Sequence, residues 1–148
     1  MRLFDRRLIG AATIWAEARS EPMSGQMAVG EVILERTRRG YSSKGTVEST
    51  VLWPRQFSCW NESTPWRDKI LGLDLEDPTV AEALTAWDFA EAHVRTGKTL
   101  VKGAVLYHTI ARPATAKAWP PGWARQPGVK EVARIGGWKA YAREVFEA

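Results

Sequence analysis

Apolar positions recur at helical spacing along three long stretches of the chain and alternate along two short ones. In the first stretch Leu8, Ile9, Ala12, Trp15 and Ala16 fall on or near one face and Asp5 is placed to cap the start, predicting a helix from about Arg6 to Ala18. Ser20 or Glu21 starts the second, with Pro22 at its first position. Its inward positions are Met23, Met27, Gly30, Leu34 and Thr37, it reaches Arg38, and Gly40 closes it. Gly25 and Gly30 cost helix propensity, which points to close packing against a neighbouring helix. Thr46 to Trp53 predicts a short helix stopped by Pro54, and Trp53 to Asp77 a long connection rich in Trp, Ser, Pro and Asn. Asp77-Pro78 opens the third strong helix, with Val80, Ala83, Leu84, Trp87, Ala90 and Val94 inward and Gly97 ending it. Ala104 to His108 and Val132 to Ile135 read as strands, the second turned by Gly136-Gly137, with a Pro- and Trp-rich loop from Arg112 to Gly128 between them. Trp138, Tyr141 and Val145 leave the tail open to strand or helix.

The helix from Arg6 ends in a carboxylate. Glu17 sits at the negative end of the macrodipole, and shielding by Trp15 and its apolar neighbours adds to the bias against ionisation. A carboxyl that keeps its proton near neutral pH suits general-acid cleavage of a glycosidic bond. The other reading of Glu17 is a solvated last-turn residue paired with Arg19 or Arg36.

Composition sharpens this picture in three places. At 148 residues, with 45% hydrophobic and 26% charged, the chain suits a single domain over 1–148 with a real core. Of its eight Trp, several stand beside turn residues, namely Trp53, Trp60, Trp66, Trp119 and Trp123. Aromatic faces on loops make platforms for sugars or nucleobases. Trp15 and Trp87, among Ala and Leu at helical spacing, read as packing residues instead. The net charge of +4 and pI near 9.5 predict attraction to polyanions. The basic residues, among them Arg36, Arg38, Arg39, Lys44, Lys98, Lys102, Arg112, Lys117, Arg125, Lys130 and Arg134, are spread along the chain. No run is dense enough for a nucleic-acid arm, and no zinc spacing or phosphate-binding glycine loop accompanies them.

Cys59 is the only cysteine, so an internal disulfide is impossible and synthesis in a reducing compartment is expected. Cys59 itself reads as a small buried apolar residue, and His93 as a boundary histidine rather than a ligand. Arg2, Arg6 and Arg7 before Leu8 to Ala16 imitate a signal peptide, but Asp5, Gly10 and Thr13 interrupt it and the stretch reads as a helix of the folded chain. No stretch approaches the roughly 20 apolar residues that span a bilayer.

Several segments together resemble the SleB/CwlJ family of cell-wall hydrolases, which includes spore-cortex lytic enzymes and related phage endolysins. They are Ala16-Glu17-Ala18-Arg19-Ser20-Glu21-Pro22, Gly25 to Gly30, Val32-Ile33-Leu34 with Arg36, Gln56-Phe57-Ser58-Cys59-Trp60, Gly103-Ala104 with Tyr107-His108, Pro121 with Trp123-Ala124, and Val132 to Gly136. Their order and spacing, from the first helix to about Tyr141, carry the resemblance.

The resemblance implies an α+β, mainly α fold: a lysozyme-like, lytic transglycosylase-like helical domain with a small antiparallel sheet in the C-terminal third. It implies cleavage of peptidoglycan between N-acetylmuramic acid and N-acetylglucosamine, with no metal and no cofactor. Glu17 falls on the family's catalytic acid. Thr37 would bond the sugar or Glu17, or else pack between helices. Gln56, Phe57, Ser58 and Trp60 would contact the glycan from the long loop, Tyr107 and His108 would line the facing wall, and Trp123 would serve as platform or lid.

A two-carboxylate hydrolase needs a partner for Glu17. Glu21, Glu31 and Glu35 are candidates, although Glu21 also suits a cap or a pair with Arg19, and Glu35 a pair with Arg39. Glu35 stands where the family usually has Asn, and Trp138 where it often has His shortly after Ile-Gly. The expected protein is a monomeric endolysin made in the cytoplasm without a signal peptide, acting on the wall after release and drawn weakly to an anionic envelope. The rival expectation is a non-catalytic module that holds glycan or nucleic acid with its Trp-rich loops.

Overall fold

A computed structural model describes residues 5–61, 66–111, 113 and 118–143, with the side chains of 66 and 67 outside that set. Arg112, Lys117, Val145 and the Trp66 side chain, singled out in the sequence, therefore lie outside the described residues. The fold is α+β and mainly helical, with its small sheet in the C-terminal part.

The first helix, α1 (Arg6–Ala18), starts where the Asp5 carboxylate accepts from the N–H groups of Arg7 and Leu8. The second, α2 (Met23–Arg39), begins one residue later than expected, because Pro22 stays extended as its N-cap. Its C-cap is Gly40 at φ +69°, a left-handed conformation that glycine adopts without the Cβ penalty. A short helix, α3 (Val47–Val51), follows, closed into a reciprocal cap by Thr46 and Ser49. The connection from Trp53 to Asp77 is not bare loop: it holds a 3-10 turn (Ser58–Trp60) and a helix, α4 (Trp66–Leu71). The last helix, α5 (Pro78–Thr96), has the Asp77 cap and Gly97 stop that its sequence announces.

Among the described residues three strands follow: β1 (Leu106–Thr109), β2 (Val129–Ile135) and β3 (Trp138–Arg143), antiparallel in the order β1-β3-β2. The first begins two residues after the expected Ala104, and the second three residues before the expected Val132. The described part of the tail, Trp138–Arg143, is strand. Trp138 to Arg143 finds an open edge on either side, and the backbone bonds to both neighbours outweigh a spacing that also fits a helix.

The core lies where α1, α2 and α5 meet around Trp87, which is 1% exposed. Close approach is bought by missing side chains: a Cβ on Gly30 would stand 2.9 Å from the Ala90 Cβ of α5, and one on Gly25 3.3 Å from Trp138. Gly10 is tighter still, since a Cβ there would lie 2.5 Å from the Trp87 ring. Alanine at position 10 gains about 1 kcal/mol of helix propensity but forces the indole against a filled core, at a cost of about 2–3 kcal/mol. The expected net result is a melting temperature lowered by about 3–6 °C. A thermal scan in which Gly10→Ala melts with or above the wild type would show that the indole can move aside.

Candidate active site

Glu17 lies in the last turn of α1, half-buried, with its carboxyl met from three directions. From the 3-10 turn, the Cys59 backbone N–H and thiol both act on it as donors, drawing it toward its ionised form. From α2, Arg36 brings a buried positive charge, and from β1 Tyr107 brings a phenol. Burial is the largest influence and pushes the Glu17 carboxyl above the usual range. The Cys59 thiol, then the Cys59 N–H, then the charge of Arg36 pull it partly back. Tyr107 is likewise pushed well up, first by burial and then by the neighbouring Glu17.

Arg36 is 4% exposed and organises the wall behind the acid. Its Nε donates to the Val105 carbonyl at 2.6 Å and one terminal nitrogen to Gln56 Oε1 at 3.2 Å. Its guanidinium lies over the rings of Phe57 (5.0 Å) and Tyr41 (5.6 Å). A single side chain of α2 thus ties the loop to the entry of β1. Arg19, offered in sequence as a partner for Glu17, instead lies over the Trp15 ring at 4.5 Å and donates to the last carbonyls of α1.

The other residues expected at the site separate into groups. Gln56 is half-buried on Arg36, Phe57 is buried beneath the guanidinium, and Ser58 is exposed beside Cys59. Trp60 is not a stacking platform: it is 7% exposed, and its Nε1 donates to Thr13 Oγ1 in the core at 2.9 Å. Thr37 takes the packing alternative. Its hydroxyl bonds the Ile33 carbonyl and Thr50 Oγ1 of α3, so it joins two helices rather than reaching Glu17.

Tyr107 and His108 do not share a wall. Neighbours in a strand face opposite ways. Tyr107 meets Trp138 edge-on at 4.9 Å on the helix side of the sheet. His108 points to the other side, among Trp119, Trp123 and Tyr141. There His108 Nδ1 donates to the Thr109 carbonyl, and Nε2 shares a hydrogen bond with the Tyr141 hydroxyl, both at 2.7 Å. Trp123 belongs to this outer aromatic cluster, edge-on to Tyr141 at 5.3 Å.

The three other candidate carboxylates have partners elsewhere. Glu21 accepts from the Gly137 N–H at 2.6 Å, fastening the α1–α2 turn to the β2–β3 hairpin, so it neither caps α2 nor pairs with Arg19. A Cβ on Gly137 would stand 2.8 Å from that carboxylate. Glu31, 2% exposed, accepts from the N–H groups of Leu100 and Val101 and bonds His93 Nδ1 at 3.0 Å. His93 therefore has the partner that its sequence neighbourhood did not reveal. Glu35 pairs with Arg38 at 2.6 Å more closely than with the expected Arg39 at 4.0 Å.

Sequence reasoning missed Cys59 as a neighbour of the acid. Its burial was legible, but its contact with Glu17 joins residues on different elements. Among the described residues no helix is long and apolar enough to cross a membrane. A family model described as Cell Wall Hydrolase matches residues 20–139, beginning just after Glu17. No curated protein and no solved structure matches the chain.

Proposed function

The chain belongs to the cell wall hydrolase family, and from that premise we propose that it cuts peptidoglycan between N-acetylmuramic acid and N-acetylglucosamine with Glu17 as general acid. Family membership makes it a hydrolytic enzyme of the cell wall with peptidoglycan as its substrate. The bond, the acid and the product are the proposal.

The observation that carries it is the setting of Glu17, whose carboxyl is pushed by burial toward its protonated form and flanked by a thiol, an amide N–H and a guanidinium. Such a group gives a proton to the glycosidic oxygen as the bond to the muramic acid anomeric carbon breaks. The muramic acid 6-hydroxyl oxygen then closes on that carbon and its proton returns to Glu17. A 1,6-anhydro end results, no water is consumed, and the acid is ready again. This route needs one carboxyl, in keeping with the engagement of Glu21, Glu31 and Glu35 in other contacts. Hydrolysis, with water in place of the 6-hydroxyl, is the second reading, supported by the family description itself.

Gln56, Ser58 and Tyr107, on the Glu17 side, supply contacts to the bound glycan in this reading. His108 and Trp123 contribute only where the strand wraps the outer face of the sheet. The protein acts as a monomeric phage-type endolysin that collects in the cytoplasm and meets the wall after the membrane is opened, its charge of +4 favouring an anionic envelope. The resemblance to a family that includes phage endolysins is what supports that setting.

Mass spectrometry of fragments released from purified peptidoglycan tests the chemistry. Products ending in anhydro-muramic acid are expected; reducing ends heavier by one water would replace this route by hydrolysis. Binding without release, weakening steeply with salt because association releases counterions, would favour the non-catalytic module instead.

A further inference from the structure

The 3-10 turn at Ser58–Trp60 docks on α1 at two points. Trp60 Nε1 donates to Thr13 Oγ1 at 2.9 Å, and Thr13 Oγ1 itself donates to the Ile9 carbonyl at 2.8 Å, so the anchor is fixed within the helix. Four residues on from Thr13 comes Glu17, on the same face of α1. The residue before Trp60 is Cys59, buried beside that anchor, and its N–H and thiol both draw the Glu17 carboxyl toward its ionised form. Two successive residues of the turn thus address two successive turns of the helix, and the buried indole bond sets the register that puts Cys59 on the acid.

We propose that Cys59 is a positioning residue for Glu17: its N–H and thiol together grip the carboxyl, fix its rotamer, and meet the negative charge left when the proton departs. The proposal rests on the reading of Glu17 as the general acid. Cys59 does not act as a nucleophile. It is 3% exposed, and burial first, then the adjacent Glu17, push its thiol far above the range in which a thiolate forms. What remains is a neutral S–H, a weak donor, beside a stronger amide donor. Both favour the ionised carboxyl and so oppose the burial that raises it. An acid held only by burial would bind its proton too tightly to give it up. The Cys59 pair keeps the proton deliverable without exposing the carboxyl to water.

Two substitutions separate this role from simple packing, because they change the donor in opposite senses. Cys59→Ala deletes the side-chain donor and keeps the N–H, whereas Cys59→Ser replaces a weak donor by a stronger one of similar size. A general acid loses activity as pH rises through its own pKa, so the basic limb of the rate profile reports Glu17. For peptidoglycan solubilisation measured across pH, Cys59→Ala is expected to move that limb up and Cys59→Ser down, each by roughly half a pH unit. Cys59→Ala is also expected to lower the maximal rate several-fold, with Cys59→Ser restoring most of it. Limbs that stay in place, or move in the same direction, overturn the proposal even where rates fall. Glu17→Gln in the same assay distinguishes the two layers: an inert variant leaves the Cys59 question to the limbs, and an active one removes the acid reading and this proposal together.

Discussion

Glu17→Gln abolishes fragment release and, in the same protein, raises thermal stability at neutral pH. The first effect follows from losing the proton donor, a role worth about 10²–10⁴ in rate. The second follows from linkage. The Glu17 carboxyl sits above its ordinary value of 4.5 because burial disfavours its charge. Well below that value both folded and unfolded chains carry the proton, and the residue costs nothing. As pH rises past it the unfolded chain gives up its proton first, so native stability declines until the folded carboxyl ionises too. Glutamine has no proton to lose. The gap in melting temperature between variant and wild type therefore opens as pH rises from about 4 to 7. Each unit of elevation is worth about 1.4 kcal/mol, or about 3 °C for a chain of this size. Differential scanning calorimetry at the two pH values, paired with a release assay, measures both. Equal melting gaps at pH 4 and pH 7 would show that Glu17 carries no burial penalty, and undiminished release would remove it from the chemistry.

Arg36→Met gives the largest expected loss of stability among single changes near the site. Methionine fills much of the volume against Phe57 and Tyr41, but it leaves the buried Val105 carbonyl and Gln56 Oε1 without their donor. An orphaned buried acceptor costs about 1–3 kcal/mol, so melting falls by about 3–9 °C. Loss of the guanidinium charge also removes one of the influences that hold the Glu17 carboxyl down, and the basic limb of the activity profile moves to higher pH. Arg36→Lys tests the cause: it keeps the charge but not the fork that spans the two acceptors. Its limb is expected near the wild-type position while its stability remains low. Melting curves and pH profiles of the pair suffice, and wild-type stability in Arg36→Met would show that the two acceptors find other donors.

The parts of the fold that were legible in the sequence are those governed by neighbours in the chain. Asp5 and Asp77 announce helix starts because a carboxylate satisfies N–H groups two or three residues on. Gly40 and Gly97 announce stops because both adopt positive φ. The placement of Glu17 at the negative end of α1 is also local, and its burial accords with the apolar run before it. The separation of Tyr107 from His108 was within reach of the sequence as well, since adjacent strand residues alternate faces.

The remaining features depend on residues far apart in the chain. Trp60 stands in a polar, turn-rich stretch that suggests exposure, and only its bond to Thr13, 47 positions away, shows it to be core. Glu21 and Gly137 are 116 positions apart, and His93 and Glu31 62. Trp138–Arg143 is a strand because β1 and β2 leave a place between them.

By itself the sequence determined the three long helices, their caps and stops at Asp5, Asp77, Gly40 and Gly97, and the place of the Glu17 carboxyl near the end of the first, since these follow from hydrogen bonds and side-chain periods spanning a few residues. Only the tertiary structure decided which groups face that acid, because desolvation and donor geometry at Glu17 arise where α1, the 3-10 turn, α2 and β1 converge.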